Sequence, residues 1–364
     1  MRSFGRRGLL AILVVSGALL VVGVPSNGLA ASGAKVAVLP IQNGAGDQQA
    51  AVALEQALGR ELRKSAELVD RGRARRVLRR LRIRDGDDTA PDLLKSLGKE
   101  LDADRLVVVT LHDAERRGTP RLAVSARAYS ATTGELLWAG FKGGCGLDRQ
   151  SVLGLGVVAN LEGLIPQVAS QLVEDFETAV LGGGEDEDRS TRSAAVDIGT
   201  LAVVPLESVT EQRRTATAET VTEAARAALF RRGIRLVPPH CASEVLRRRQ
   251  GGLWGGVTVE TRSALRDSCG ADSILTGSVE TYDVHGSRRE PEPEVAIALR
   301  MVNPETGRIL WTGALERRGR DRQGMFRLGR VYSRGALAER LTAALTQRLL
   351  SEWPGRATRS EENQ

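Results

Sequence analysis

His112 stands next to Asp113, and His285 follows Asp283 by two residues, with His240 apart from both. Imidazole beside carboxylate can hold a divalent metal or move a proton. Neither spacing matches a known ligand pattern, and the sequence contains no HExxH, CxxC, GxSxG or GxxxxGK[ST] motif. These histidines therefore read as exposed residues of loops near the inner hairpins. No catalytic residue, metal site or cofactor is expected. The three cysteines allow one disulfide and one spare thiol. Cys241 and Cys269 form the candidate pair, and burial as small hydrophobes is the alternative.

Other residues have chemistry suited to contact. Eight arginines fall between 71 and 84, and on helical spacing Arg76, Arg79 and Arg80 lie opposite an apolar stripe of Ala74, Val77, Leu78 and Leu81. Such a face could meet an anionic lipid, a glycan or an acidic protein surface, with a solvated helix face as the plain alternative. Nucleic acid is not expected as a partner, because no aromatic residues interleave with the arginines. Trp254 sits inside Gly251-Gly252-Leu253-Trp254-Gly255-Gly256, where a large aromatic has no evident core to join, which makes it an interface candidate. Gly140, Gly143, Gly144, Gly146, Gly154 and Gly156 read as a mobile connector, since they follow a hairpin strand and not the first strand of a phosphate-binding unit.

The elements that carry these residues occur twice. Thr133-Gly134-Glu135-Leu136-Leu137-Trp138 returns as Thr306-Gly307-Arg308-Ile309-Leu310-Trp311. Each follows an alternating apolar run, Leu122 to Tyr129 and Val295 to Val302, and so reads as a hairpin whose turn needs the positive φ of glycine. Trp138 and Trp311 are expected to pack on a closing helix. Val36-Ala37-Val38-Leu39-Pro40 is matched by Leu201-Ala202-Val203-Val204-Pro205, Val77-Leu78-Arg79-Arg80 by Val245-Leu246-Arg247-Arg248, and Ala103-Asp104 by Ala271-Asp272. The hairpins align down to Arg127 and Arg300. Matches in one order predict duplication, and each copy reads β-α-β-α-α-β-β-β-α. The expected fold is α/β, two related domains that are each a mixed β-sheet with packed helices.

Around the repeats, residues 1–30 read as a signal peptide, with Arg2, Arg6 and Arg7 before an uncharged run from Leu9 to Val24. No cysteine lies near the expected cleavage site, so a lipoprotein is not expected. The boundaries follow as domain 34–181, an acidic Gly-rich linker 182–199, domain 200–353 and a disordered tail 354–364. With the signal removed, the chain is only mildly basic.

The opening strand Val36 to Asn43 followed by Gly46-Asp47, the Ala-Asp pair before a strand, and the Thr-Gly-x-Leu/Ile-Leu-Trp hairpin together resemble a family of bacterial envelope domains. That family includes the amino-terminal domain of TolB, the curli-secretion protein CsgG and the penicillin-binding-protein activator LpoB. The resemblance covers both halves. It implies an exported, periplasmic or envelope-associated protein that is not an enzyme and acts as an adaptor or as a secretion or assembly component. Its partners would be envelope proteins, with a homo-oligomer left open. The alternative is a receptor holding a small ligand or glycan in the cleft between the domains.

Overall fold

The computed structural model describes residues 33–81, 83, 90–150, 155–181, 198–209, 214–249, 257–321 and 329–353. The expected signal peptide, linker residues 182–197, Trp254 with its glycines, and the tail 354–364 lie outside the described residues. The chain is α/β, with two similar halves that each form a six-stranded mixed sheet with helices packed against it.

The first half runs β1 (Lys35–Val38), β2 (Gln42–Asn43), α1 (Gln48–Leu62), β3 (Glu67–Leu68), α2 (Arg71–Arg80), α3 (Pro91–Leu101), β4 (Arg105–Glu115), β5 (Arg121–Ser130), β6 (Leu136–Cys145) and α4 (Leu161–Phe176). The second runs β7 (Thr200–Val203), β8 (Glu207–Ser208), α5 (Arg214–Arg231), β9 (Arg235–Leu236), α6 (Pro239–Arg249), α7 (Val259–Cys269), β10 (Ser273–Gly286), β11 (Pro291–Val302), β12 (Ile309–Arg318) and α8 (Arg334–Glu352). This is the expected order with one addition, a two-residue strand before the first helix of each half.

In the first sheet β1 lies parallel between β3 and β4, and β5 and β6 continue antiparallel. The second sheet repeats this as β9-β7-β10-β11-β12. The irregularities repeat too. Pairing slips by one residue at His112 in β4 and at Glu280 in β10, and again between Ala128/Tyr129 and between Met301/Val302. A bulge re-aims the side chains beyond it, so equal bulges keep equivalent residues on equivalent faces.

The repeated motifs have local causes. The Asp104 carboxylate accepts a hydrogen bond from the Lys35 amide at 2.8 Å, and Asp272 accepts one from Thr200 at 2.7 Å, so each Ala-Asp pair ties the first strand to the fourth. Gly134 and Gly307 adopt φ of 76° and 72°, as the hairpin turns require. Trp138 meets Phe176 of α4 edge-on, with ring centroids 5.6 Å apart, and the Trp311 indole N–H donates to Glu352 of α8 at 2.9 Å. Both tryptophans thus pack on the closing helix. The glycine two residues on is where the indole lies, since a Cβ at Gly140 or Gly313 would come within 2.2 or 2.4 Å of the ring. Cys241 and Cys269 are joined by a disulfide with Cα atoms 5.9 Å apart, linking the start of α6 to the end of α7.

Helices α1 and α4 cover one face of the first sheet through Leu54, Leu58, Val107, Val124 and Leu172. On its other face, α2 and α3 cover only one end, around Ala37, Val77, Leu97 and Leu106. Helices α5 and α8 cover the second sheet through Val221, Leu229, Ile297, Leu341 and Leu345, with α6 and α7 at one end of its far face. Replacing Gly313 by Val should push Trp311 off its seat and cost about 2 kcal/mol as core overpacking. A urea titration should show that loss, while Gly33→Ala, with open space at its Cβ, should stay within about 0.5 kcal/mol of wild type.

Candidate functional site

The largest difference between the halves is what lies on the far face of each sheet. In the first sheet, α5 and α8 of the second half pack directly on β5 and β6. Ala224 and Ala227 of α5 join Ala123 and Phe141 in one buried cluster. Gly143 meets the first turn of α8 so closely that a Cβ there would stand 2.0 Å from the Ala336 backbone nitrogen. A Cβ on Gly335 would stand 2.8 Å from that of Ala123. Helix α5 is therefore held between two sheets, and every residue from Thr220 to Leu229 is buried. A helix buried on all sides must be built of small residues and have its polar groups satisfied. Thr220 and Thr222 accordingly return their hydroxyls to the carbonyls of Ala216 and Ala218 at 2.7 and 2.6 Å.

Charge crosses this contact in three places. Glu223 is buried between Arg226, with which it is hydrogen-bonded, and Arg127 of β5 at 3.9 Å. Arg226 also donates to the Val203 carbonyl at 3.1 Å. Burial pushes the Glu223 carboxyl up, but Arg127, Arg226 and His112 outweigh it and hold the group below the usual carboxylate range. Arg334 of α8 pairs with Asp113 at 3.1 Å and lies over the Tyr282 ring at 5.0 Å. Lys142 reaches Asp175 at 3.1 Å and Glu339 at 3.3 Å, and Glu339 also accepts from the Gly143 amide at 3.2 Å. The inner hairpin loops touch as well, where Thr119 donates through its amide to the Arg288 carbonyl at 2.9 Å.

Two sequence expectations need correction. His112 is not an exposed loop residue. It is the bulge residue of β4, buried, sharing a hydrogen bond of 2.8 Å with Ser125 and facing Phe141 at 6.0 Å between ring centroids. Burial lowers its pKa to about 4. Asp113, its sequence neighbour, serves Arg334 instead. The glycines from 140 to 144 are not a mobile connector either. They belong to β6, where they leave room for Trp138, for α8 and, at Gly144, for Val168. His285 is exposed and pairs with Glu294 at 2.9 Å. Among the described residues no group of three His, Cys, Asp or Glu side chains could hold a metal.

The arginine helix divides its labour. Arg75 pairs with Glu55 of α1 at 2.8 Å, Arg73 donates to the Glu100 carbonyl at 2.9 Å, and Arg80 pairs with the Glu100 carboxylate. Arg76 and Arg79 face solvent. Cys145 is a free, buried thiol, pushed up to about 12 by burial and Asp148, and Asp148 is raised by burial to about 6. Sequence reasoning missed Glu223, Arg226 and Arg334. The signal was the stretch Thr220 to Leu229 of α5, which has no polar face and only one Glu and one Arg among mostly small residues.

On the second sheet the corresponding face is open around Arg300 and Ala314, although Ala296 is buried. Register places Ala298 where Ser125 stands, Arg300 where Arg127 stands, and Ala314 where Phe141 stands. Ser125, Arg127 and Phe141 are 2%, 8% and 0% exposed. By contrast Ala298 and Arg300 are half-buried, and Thr312, Ala314 and Glu316 are exposed. No helix among the described residues is long and apolar enough to cross a membrane.

The pKa shifts give a pH test. His112 is depressed from 6.5, so on acidification through the window from 6.5 to about 4 the unfolded chain takes a proton the folded chain refuses, and stability falls. Asp148 is raised from 3.8 to about 6, so over the same acidification the folded chain takes the extra proton and stability rises. Each amounts to about 3 kcal/mol, and they oppose. His112→Gln should therefore gain stability relative to wild type as pH falls from 6.5 to 4, and Asp148→Asn should lose it. Equal pH profiles for the three proteins in urea melts would contradict the assignment.

No protein-family model matches the chain, and no curated protein matches it. Solved structures resemble parts of it. PelC from Paraburkholderia phytofirmans, solved as a dodecamer, is 20% identical over 40% of this chain and 83% of its own, with a TM-score of 0.27. The LpoB C-terminal domain from Escherichia coli is 17% identical over 38% of this chain and 98% of its own, with a TM-score of 0.25. A lipoprotein from Neisseria meningitidis is 14% identical over 30% and 78%, with a TM-score of 0.27.

Proposed function

We propose that the chain is a non-catalytic, exported cell-envelope protein, not a lipoprotein, in which residues 34–181 and 200–353 are two related units joined by 182–199, and that it acts as an adaptor through protein–protein contact. The observation that carries this reading is the unequal treatment of one surface. The sheet face that receives two helices in the first half is offered to solvent in the second. Such a face, with a half-buried arginine among small residues, is suited to a macromolecular contact. The signal-like start of the sequence and its resemblance to envelope domains support the location.

The buried groups whose pKa values are shifted fit a non-catalytic reading, because their partners are structural. His112 and Glu223 are buried in the contact between the halves, and Asp148 caps the Cys145 amide at 2.6 Å. Each serves a contact within the fold: His112 with Ser125, Glu223 with Arg226 and Arg127, and Asp148 with the Cys145 amide. Against a ligand cleft between the halves stands the packing of Ala123, Phe141, Ala224 and Ala227, which fill part of that contact. An apolar recess does occur between Leu58, Val107, Trp138, Leu172 and Phe176, but it lies within the core of the first half and presents almost no polar group. An anionic lipid or glycan contact at Arg76 and Arg79 is a lesser part of the proposal.

Chemical crosslinking of the mature protein in intact cell envelopes, followed by purification and mass spectrometry, tests the adaptor reading. A defined set of envelope proteins should be recovered in stoichiometric yield. Recovery of this chain alone would overturn it.

A further inference from the structure

Helix α5 on the first sheet is a template for what the second sheet lacks. On the first sheet, Glu223 meets Arg127 while Ala224 and Ala227, one and four residues later, lie on Ala123 and Phe141. The second sheet keeps the receiving half of this arrangement. Arg300 stands at the position of Arg127, the bulge at Glu280 matches the one at His112, and Ala296, itself buried, stands at the position of Ala123. Arg300 forms no direct ion pair among the described residues, and it acts on the Glu207 carboxyl of β8 only through space. One Glu207 oxygen is itself buried without a hydrogen-bond partner.

We infer that the open face of β10, β11 and β12 receives an α-helix of another protein, one that presents an acidic residue to Arg300 followed by small residues one and four positions later. This rests on the adaptor reading and names the kind of partner it requires. Charge complementarity selects the acid, since an arginine covered without one would be desolvated unpaired. The flat surface of Ala298, Ala314 and Thr312 selects small neighbours, because the helix must approach closely for its acid to reach. Ala314 in place of Phe141 leaves room for one larger apolar residue beside them.

A second copy of this chain is the other natural occupant, and its chemistry does not fit. The surface equivalent to that of α5 and α8 is the outer side of α1 and α4. Aligning the helix caps Asn160 and Ser333 puts Glu162 in the place of Gly335 and Leu161 in the place of Arg334. The sheet positions opposite change in step, Glu316 replacing Gly143 and Thr281 replacing Asp113. Repeating the internal contact between chains would set Glu162 against Glu316 where glycine now meets glycine. It would also lose the ion pair of Arg334 with Asp113.

The test is photo-crosslinking in the producing cells, with a photoreactive residue placed at Thr312 or Ala314 of the full chain and the crosslinked peptides sequenced. The expected product is a peptide of another protein that carries the acid and its small residues on one helical face. Arg300→Glu should reduce its yield at least ~10-fold, and changing the partner's acid to Arg should restore it. Ala314→Arg, an exposed change, should block the same product, and thermal melts of both variants verify folding. Crosslinks to residues 48–62 or 161–176 of a second copy would overturn the inference in favour of self-assembly. Absence of any crosslink from these two positions, while chemical crosslinking elsewhere still recovers envelope proteins, would overturn the inference and leave the adaptor reading standing.

Discussion

The burial of α5 between two sheets is the constraint on which the rest of the structure depends. A helix with sheets on both sides has no solvent face, so it cannot use the ordinary division into apolar and charged sides. Its small side chains let the sheets come close, and its buried Glu223 has to be neutralised within the contact. Arg226 from the same helix and Arg127 from the facing strand do this together. Removing either would leave a carboxylate buried with one cation fewer, a costly state in a low-dielectric interior.

The glycines of β6 follow from the same closeness. Gly143 and Gly335 allow backbone to meet backbone where α8 begins, and the Ser333 cap, which accepts from the Ala336 amide at 3.3 Å, fixes that first turn. The ion pairs of Arg334 with Asp113 and of Lys142 with Glu339 and Asp175 lie around this point. Apolar contact thus sets the distance between the halves, while charge and hydrogen bonding set their register. The pair is asymmetric in which sheet face is covered. Two similar halves stacked in one direction must leave one sheet face uncovered, and in this chain that face has lost the glycine and aspartate that would receive another copy.

The sequence by itself determined the elements. Alternation in the strands, the turn glycines at 134 and 307, and the tryptophans two residues before a glycine are local signals, because each depends on residues within a few positions of one another. Their recurrence made the two-half architecture readable, including the equivalence of Arg127 and Arg300. What only the tertiary structure decided is which copy of each surface is covered. His112 and the glycines of β6 read locally as loop and connector, since polarity and lack of side chain are normal features of surface segments. They are interior because α5 and α8 arrive from about a hundred residues away or more, and no local pattern encodes that contact. The same holds for Arg127 and Arg300, identical in type and register, one buried against Glu223 and the other left open by the order of stacking.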